Sequence, residues 1–155
     1  ALRAAPLWAQ WPARMQRLEG GPLNAMLPGR TLILDGGHNP DAGKALAEAL
    51  RESRLAETGI DLVTGMLSNK DVTGFLKPLR PLIRSIRSLP VPGHEHHGPE
   101  VFADVARQWE IPHRSFTTIR EALTDVAAGP PRTVLIAGTL YLAGQVLVAN
   151  DQPPV

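Results

Sequence analysis

Short apolar runs alternate along the chain with segments of helical periodicity, and this alternation limits the possible folds more than any other feature. The apolar runs cover residues 31–34, 60–66, 83–89, 113–116 and 133–139. The helical patterns cover residues 40–54, 72–79, 100–109, 119–126 and 140–149. Near-continuous apolar strands that alternate with helices are typical of a parallel sheet covered on both faces. We therefore expect an α/β fold, namely a three-layer, Rossmann-like domain with a mainly parallel sheet of about six strands.

The composition excludes several classes of function for this chain. The 155 residues carry a formal net charge of +1 and contain no cysteine. A near-neutral chain is not held to nucleic acid by bulk charge, and a chain without cysteine has no disulfide, thiolate zinc site or catalytic thiol. No apolar run approaches the roughly 20 residues of a membrane span, and the start has neither an initiator Met nor a signal-peptide pattern. We expect a cytoplasmic piece of a longer protein that binds neither nucleic acid nor membrane.

Polar loops follow three of the predicted strands, at residues 35–39, 68–71 and 138–141. In open parallel sheets, ligands bind in the crevice at the carboxyl ends of the strands. The strand ends of one sheet meet at a common edge, so the sequence predicts a binding site there. No internal repeat is visible.

The loop Asp35-Gly-Gly-His-Asn-Pro is the most informative of the three. Gly36 and Gly37 allow a ligand to approach the backbone, and the helix after Asn39 offers free N–H groups to an anion. Asp35 could accept hydrogen bonds from ribose hydroxyls and His38 could bind a phosphate. Alternatively, Asp35 holds the backbone of a tight turn and His38 is merely exposed. Both G-x-G-x-x-G and the P-loop pattern are missing, so phosphoryl transfer would need another domain.

Other polar residues allow two interpretations each. Arg14 suits a phosphate but could be a surface arginine on a connector. Lys70 could bind a carboxylate, and Asp71 could orient Lys70 or simply cap the next helix. The hydroxyl of Thr139 and nearby N–H groups suit a carboxylate, whereas Tyr141 could equally be a ring at the edge of the core.

Three histidines, His94, His96 and His97, lie in a loop of residues 90–99 that is rich in Pro and Gly. With Glu95 they could suggest a metal site. However, there is no second histidine-rich element and no i, i+4 spacing. We therefore predict a solvated loop and assign no metal ligand.

The order of the motifs resembles that of a known family. The motifs are W-x-x-R from Trp11, L-D-G-x-H-N-P from Leu34, G-M-L-x-x-K-D from Gly65, R-S-L from Arg87 and L-I-A-G-[ST]-L-Y-L-A-G from Leu135. Together they resemble the carboxy-terminal domain of folylpolyglutamate synthase/dihydrofolate synthase, in the Mur ligase superfamily. The resemblance extends over residues 11–150.

The resemblance implies a ligase that uses ATP to join L-glutamate to dihydropteroate or folate through an acyl phosphate. In this family the P-loop, most of the Mg²⁺ ligands and the pterin pocket belong to an upstream domain. Residues 1–14 are then a connector from that missing N-terminal ATPase domain. Residues 15–150 form the Mur ligase-type carboxy-terminal domain, and residues 151–155 a disordered tail. We expect the protein to be a monomer, and the isolated chain to be inactive.

The resemblance also implies roles for individual residues, with His38 and Lys70 as the catalytic candidates. The nucleotide contacts would come from Arg14, Asp35, Gly36, Gly37, His38 and Asn39. The glutamate contacts would come from Lys70, Thr139 and Tyr141. This chain departs from the family pattern at four positions, which are Ala13 for Gly, Gly37 for Ala, Asn69 for Asp and Thr139 for Ser.

Two alternatives remain open at this point. One is another Mur-type amino-acid ligase, of the cell-wall or cyanophycin-synthetase kind. The other, from a different class, is a stand-alone nucleotide-binding or interaction module.

Overall fold

The computed structural model describes residues 14–152, which form one sheet flanked by helices. The strands of this part of the chain are β1 (Gln16–Leu18), β2 (Leu32–Asp35), β3 (Ile60–Thr64), β4 (Ile83–Ser88), β5 (His113–Ser115) and β6 (Thr133–Ala137). The α-helices of the same residues are α1 (Pro22–Met26), α2 (Pro40–Glu52), α3 (Val72–Leu76), α4 (Pro99–Trp109), α5 (Ile119–Ala127) and α6 (Leu140–Ala149). A short 3₁₀ helix, Lys77–Leu79, continues α3.

The strand order is β1-β2-β6-β3-β4-β5, which brings β2, β6 and β3 side by side in the sheet. Only the edge pair β1–β2 is antiparallel among the described strands, and the other four pairings are parallel. In register, Asp35 of β2 lies opposite Ala137 of β6, which in turn lies opposite Thr64 of β3. The three loops that follow these strands therefore leave the sheet at the same level.

Helices cover both faces of the sheet, because neighbouring residues of each central strand point to opposite sides. On one face, Leu62 and Leu135 pack with Phe75 and Phe102, which come from α3 and α4. On the other, Val63 packs in a core to which α1, α5 and α6 contribute the buried residues Leu23, Leu123, Val126 and Val146. The three-layer fold predicted from the sequence is confirmed.

Polar side chains begin the helices where the sequence predicts. The Asn39 carboxamide accepts a hydrogen bond from the Ala42 N–H at 2.8 Å, and Pro40 occupies the first turn of α2. Asp71 accepts a hydrogen bond from the Gly74 N–H at 2.9 Å, so it caps α3. The capping alternative for Asp71 is therefore confirmed.

The structure contains two elements that were not predicted from the sequence. β1 and α1 are too short to show a periodicity in the sequence. Arg84 and Arg87 interrupt the apolar pattern of β4, yet the strand forms. Arg84 is exposed, whereas Arg87 pairs with Asp125 of α5 at 2.8 Å.

Parts of the predicted connector and tail lie outside the described residues. These parts are residues 1–13 and 153–155. Of the predicted tail, Asp151 and Gln152 are described, and the Gln152 N–H donates to the Leu147 carbonyl oxygen at 2.8 Å. Within residues 14–152, no helix is long and apolar enough to cross a membrane.

Candidate functional site

Two adjoining cavities lie at the carboxyl ends of β2, β6 and β3. The wide groove has a volume of about 840 Å³ and is lined by residues that include Arg14, Asp35, Gly36, Gly37, His38, Asn39 and Leu140. The narrow pocket has a volume of about 270 Å³ and is lined by His38, Leu67, Lys70, Gly138, Thr139, Leu140 and Tyr141. His38 and Leu140 belong to both. The structure thus gathers every site residue named from the sequence into two cavities with a common wall.

Asp35 closes the loop after β2. Its Oδ1 accepts a hydrogen bond from the Gly37 N–H at 2.7 Å, and its Oδ2 accepts one from the Met15 N–H at 2.9 Å. The turn interpretation is therefore correct for its backbone contacts, although a carboxylate has lone pairs left for a ligand.

Partial burial raises the pKa of the Asp35 carboxyl above its ordinary value. The two N–H groups and the nearby Arg14 charge act in the opposite direction, but they do not offset the burial. The fold therefore holds this carboxyl where its charged form is disfavoured. Groups of this kind are concentrated at functional sites.

Glycines allow the loops of the site to touch. A Cβ on Gly37 would lie only 2.8 Å from Oδ1 of Asp35 and 3.0 Å from Cβ of Ala42. Gly138, with φ of 131°, lies so close to Gly65 and Thr64 that a Cβ would collide with both. The backbone of the β6–α6 loop therefore rests directly on the end of β3.

His38 stands in the common wall of the two cavities. Its Nδ1 lies 3.3 Å from the Gly36 carbonyl oxygen, an acceptor, so Nδ1 carries the proton in this contact. In the neutral ring, Nε2 is then left with a lone pair. His38 can accordingly hydrogen-bond a ligand in either cavity.

Lys70 ends the tight turn after β3, where its N–H donates to the Leu67 carbonyl oxygen at 3.0 Å. None of the ion pairs found among residues 14–152 involves Lys70. Its ammonium group is thus a cation in the narrow pocket that a ligand carboxylate could pair with.

Thr139 and Tyr141 open α6. The buried Thr139 hydroxyl accepts a hydrogen bond from the Tyr141 N–H at 3.2 Å and keeps its own proton for a second partner. Tyr141 is 50% exposed, so its ring is not part of the core. Both residues therefore present hydrogen-bonding groups at the pocket wall.

Two features of the site were not predicted from the sequence. The His94 ring stacks on the ring of Tyr141, with centroids 3.7 Å apart and an angle of 20° between the ring planes. The Thr64 hydroxyl, beside Gly138, is buried without a hydrogen-bond partner among the described residues. Neither could be found from the spacing of residues in the sequence. The stack joins two loops that are distant in sequence, and the burial of the Thr64 hydroxyl depends on how Gly138 packs against β3.

The histidine loop, residues 90–98, is only partly solvated, whereas the sequence predicted a solvated loop. His94 is exposed, but the His97 ring hydrogen-bonds the Lys70 carbonyl oxygen at 2.7 Å. Over residues 14–152, no group of three or more His, Asp and Glu side chains could hold a metal ion.

Comparison with known proteins places the chain in a family. The fold and the position of the cavities define an α/β domain with two cavities at the carboxyl ends of its parallel strands, where sheets of this kind commonly bind ligands. The family model described as "Mur ligase, glutamate ligase domain" matches residues 13–140. The chain belongs to this family.

Two of its relatives are folylpolyglutamate synthases. The enzyme of Lacticaseibacillus casei is 28% identical over 138 residues, which are 89% of this chain and 29% of that enzyme. The folylpolyglutamate synthase of Mycobacterium tuberculosis, solved with ADP and AMPPCP, superposes with a TM-score of 0.74 at 26% identity. This match covers 93% of this chain and 33% of that one.

A third relative is the bifunctional folylpolyglutamate synthase/dihydrofolate synthase of Yersinia pestis, solved with AMPPNP and a Mn ion. Its TM-score is 0.66 at 25% identity, over 91% of this chain and 32% of that one. The resemblance to the folylpolyglutamate synthase domain is thereby confirmed. The chain spans about a third of the length of these relatives.

Proposed function

We propose that this chain is the carboxy-terminal domain of an ATP-dependent ligase that adds L-glutamate to dihydropteroate, to a folate or to both. The observation that carries the proposal is the pair of adjoining cavities, one for each half of the reaction. The predicted nucleotide residues line the wide groove, and the predicted glutamate residues line the narrow pocket. His38 belongs to both cavities.

The wide groove has groups that suit a nucleotide. Arg14 offers a planar, permanently charged donor for a phosphate. The start of α2 contributes the favourable end of a helix dipole, worth about 0.3–1 kcal/mol to an anion. Asp35 has lone pairs for ribose hydroxyls. The groove is open, as expected for one wall of a site that a second domain completes.

Magnesium fits this part of the chain less well than the nucleotide. Asp35 and Asp41 line the groove, but residues 14–152 hold no cluster of three metal-ligating side chains. We therefore assign the Mg²⁺ that accompanies ATP mainly to the amino-terminal P-loop ATPase domain of the same protein. No step of the reaction is assigned to a metal on this chain.

The narrow pocket has groups that suit L-glutamate. The Lys70 ammonium can pair with a carboxylate of the amino acid, and the Thr139 hydroxyl and Tyr141 phenol can hydrogen-bond its carboxylates. Three anionic reactants must meet in this ligation, so fixed cations and N–H groups offset their mutual repulsion.

The reaction has two steps. A carboxylate oxygen of the pteroate or folate attacks the γ-phosphorus of ATP, so that ADP leaves and an acyl phosphate forms. The amino nitrogen of glutamate then attacks the acyl carbon, the C–O bond to phosphate breaks, and the amine loses a proton as the amide forms. His38, next to both ligands, holds the phosphate, and Lys70 holds the glutamate. Closure of the two domains would exclude water from the acyl phosphate.

The test uses the full-length protein that contains this chain, supplied with Mg-ATP, L-[¹⁴C]glutamate and either dihydropteroate or tetrahydrofolate. We expect label transfer that depends on the pterin substrate and falls at least about tenfold in Arg14→Ala and in Asp35→Ala. Arg107→Ala is the matched control, because Arg107 is exposed and, among residues 14–152, pairs only with Asp104, at 2.8 Å. Asp35→Asn, which keeps the side-chain volume, and melting curves separate lost activity from lost folding.

Two outcomes would contradict the proposal. Transfer to neither pterin substrate would favour another Mur-type ligase or a stand-alone module. The isolated 155-residue chain should bind ATP weakly without turning it over, so ATP hydrolysis by this chain alone would refute the division of labour between the domains.

A further inference from the structure

The histidine loop, residues 90–98 between β4 and α4, lies against the turn that carries Lys70. The Ser68 N–H donates to the Glu95 carbonyl oxygen at 3.1 Å, and the His97 N–H donates to the Met66 carbonyl oxygen at 2.9 Å. Leu67 and His96 form an isolated antiparallel bridge between the same two segments. The loop is thus joined by its backbone to the segment that follows β3.

A side chain adds a further contact to Lys70 itself. Nε2 of His97 lies 2.7 Å from the Lys70 carbonyl oxygen, which can only accept, so Nε2 carries a proton in this contact. The contact joins the side chain of His97 to the turn that carries Lys70.

The same loop reaches the other side of the narrow pocket. His94 stacks on Tyr141 with ring centroids 3.7 Å apart, although both side chains are exposed. An exposed tyrosine at the start of a helix would otherwise move freely between rotamers. The stack gives the Tyr141 ring a fixed orientation at the pocket wall.

We propose that the histidine loop is a positioning element for the amino-acid side of the site. His94 fixes the ring of Tyr141, and His97 fixes the turn that carries Lys70. One loop thereby sets the spacing between two groups that contact the same ligand. The inference rests on the proposed function, because it assigns the narrow pocket to L-glutamate.

The stack can be tested on this chain directly, because Tyr141 is its single tyrosine. Tyrosine labelled with ¹³C in the ring gives one set of aromatic NMR signals. In His94→Ala, these signals should move downfield as the ring current of His94 is lost. In His94→Phe, which restores an aromatic partner, they should stay upfield. Unchanged signals in His94→Ala would overturn the proposal.

The functional role requires the full-length protein. We expect His94→Ala to raise the KM for L-glutamate at least about fivefold, with the KM for ATP and kcat within about twofold of the parent values. His94→Phe is the matched variant and should restore the KM. A general loss of folded protein would instead lower kcat and leave both KM values unchanged, because KM does not depend on the concentration of active enzyme.

The outcomes separate the two proposals. A parent protein that transfers no glutamate overturns the proposed function and this inference together. A parent that transfers glutamate, with an unchanged glutamate KM in His94→Ala, overturns the positioning role alone. A raised KM that His94→Phe does not restore also overturns it, because stacking is then not the cause.

Discussion

Gly138 controls how closely the β6–α6 loop approaches the end of β3. Its φ of 131° lies in a region that L side chains rarely adopt, and a Cβ there would collide with the Gly65 carbonyl oxygen. Thr139 follows directly, and its hydroxyl caps α6. The absence of a side chain at position 138 therefore places Thr139 in the narrow pocket.

Replacing Gly138 should damage folding and site together. We expect Gly138→Ala to lower the free energy of unfolding by about 1–3 kcal/mol, because the strained backbone and the collision must both be accommodated. Urea unfolding of the 155-residue chain measures the change.

Gly144 provides the matched control. It lies inside α6, and a Cβ there would meet nothing within 4 Å. Gly144→Ala should stabilise the chain by about 1 kcal/mol, because alanine favours the helix. Equal effects of the two substitutions would contradict this account of Gly138.

Helix α3 depends on a polar cap, because five residues form too short a helix to be stable by themselves. The Asp71 carboxylate satisfies the Gly74 N–H, and Phe75 and Leu76 anchor the helix in the core. Asp71 therefore has a structural task at the edge of the site.

Replacing Asp71 by asparagine distinguishes a helix cap from a catalytic acid, because asparagine can cap a helix but cannot act as an acid. Asp71→Ala should lower the free energy of unfolding by about 1 kcal/mol, whereas Asp71→Asn should change it little, since both residue types cap well. Urea unfolding measures both variants. In the full-length protein, Asp71→Asn should also keep its glutamate transfer. A folded Asp71→Asn protein without activity would show that Asp71 has a chemical role.

Elements with a long periodicity could be predicted from the sequence, whereas elements that depend on distant partners could not. α2 shows its apolar stripe, its Asn39 cap and its Pro40 in the sequence itself. β1 has three residues and is defined by its pairing with β2. α1 depends on Asn150, whose side chain accepts a hydrogen bond from the Leu23 N–H at 2.8 Å.

The residues of the site also divide into those that could be predicted from the sequence and those that could not. Its main residues could be named because they lie in contiguous motifs at strand ends. The role of His94 could not, because stacking on Tyr141 depends on how two loops approach each other in space.

Ionic contacts join several elements at the amino ends of the strands, opposite the site. The buried Asp61 of β3 accepts hydrogen bonds from Ser85 at 2.7 Å and from Arg132 at 3.1 Å. Arg87 contacts Ser85 and also pairs with Asp125 of α5. One carboxylate thus links β3, β4 and the start of β6.

Removing that carboxylate should destabilise the whole molecule. We expect Asp61→Ala to lower the free energy of unfolding by about 3–5 kcal/mol, because it leaves buried donors without a partner. Asp104→Ala, which breaks only an exposed pair with Arg107, should cost about 0–1 kcal/mol. Urea unfolding of both variants tests the difference. A similar, small effect of both would show that the Asp61 contacts contribute little.

His113 makes the global stability depend on pH. Burial lowers the pKa of His113 below its ordinary value of 6.5, so the unfolded chain binds the proton more tightly than the folded one. This contribution is present above pH 6.5 and is lost as the pH falls through the pKa of the folded state. The pKa of the Asp35 carboxyl is raised instead. Its contribution to stability is therefore present below pH 3.8 and is lost as the pH rises through the pKa of the folded state.

Melting temperatures measured between pH 7 and pH 5 should therefore fall in the parent chain and fall less in His113→Gln. His97→Gln is the control, because it removes a histidine from a different part of the fold. If the melting temperatures of the parent and of His113→Gln fall equally with pH, His113 does not contribute to the pH dependence of stability.

The buried Asn150 side chain has a practical consequence for experiments with the chain. It fastens the end of α6 to Leu23 and to Asn24, at the amino ends of the parallel strands. The ten residues of α6 carry the backbone about 15 Å away from Thr139. A fluorophore or surface tether attached at the exposed Asp151 would therefore lie on the side of the molecule opposite both cavities. Immobilisation through that end should keep them accessible to dissolved ligands.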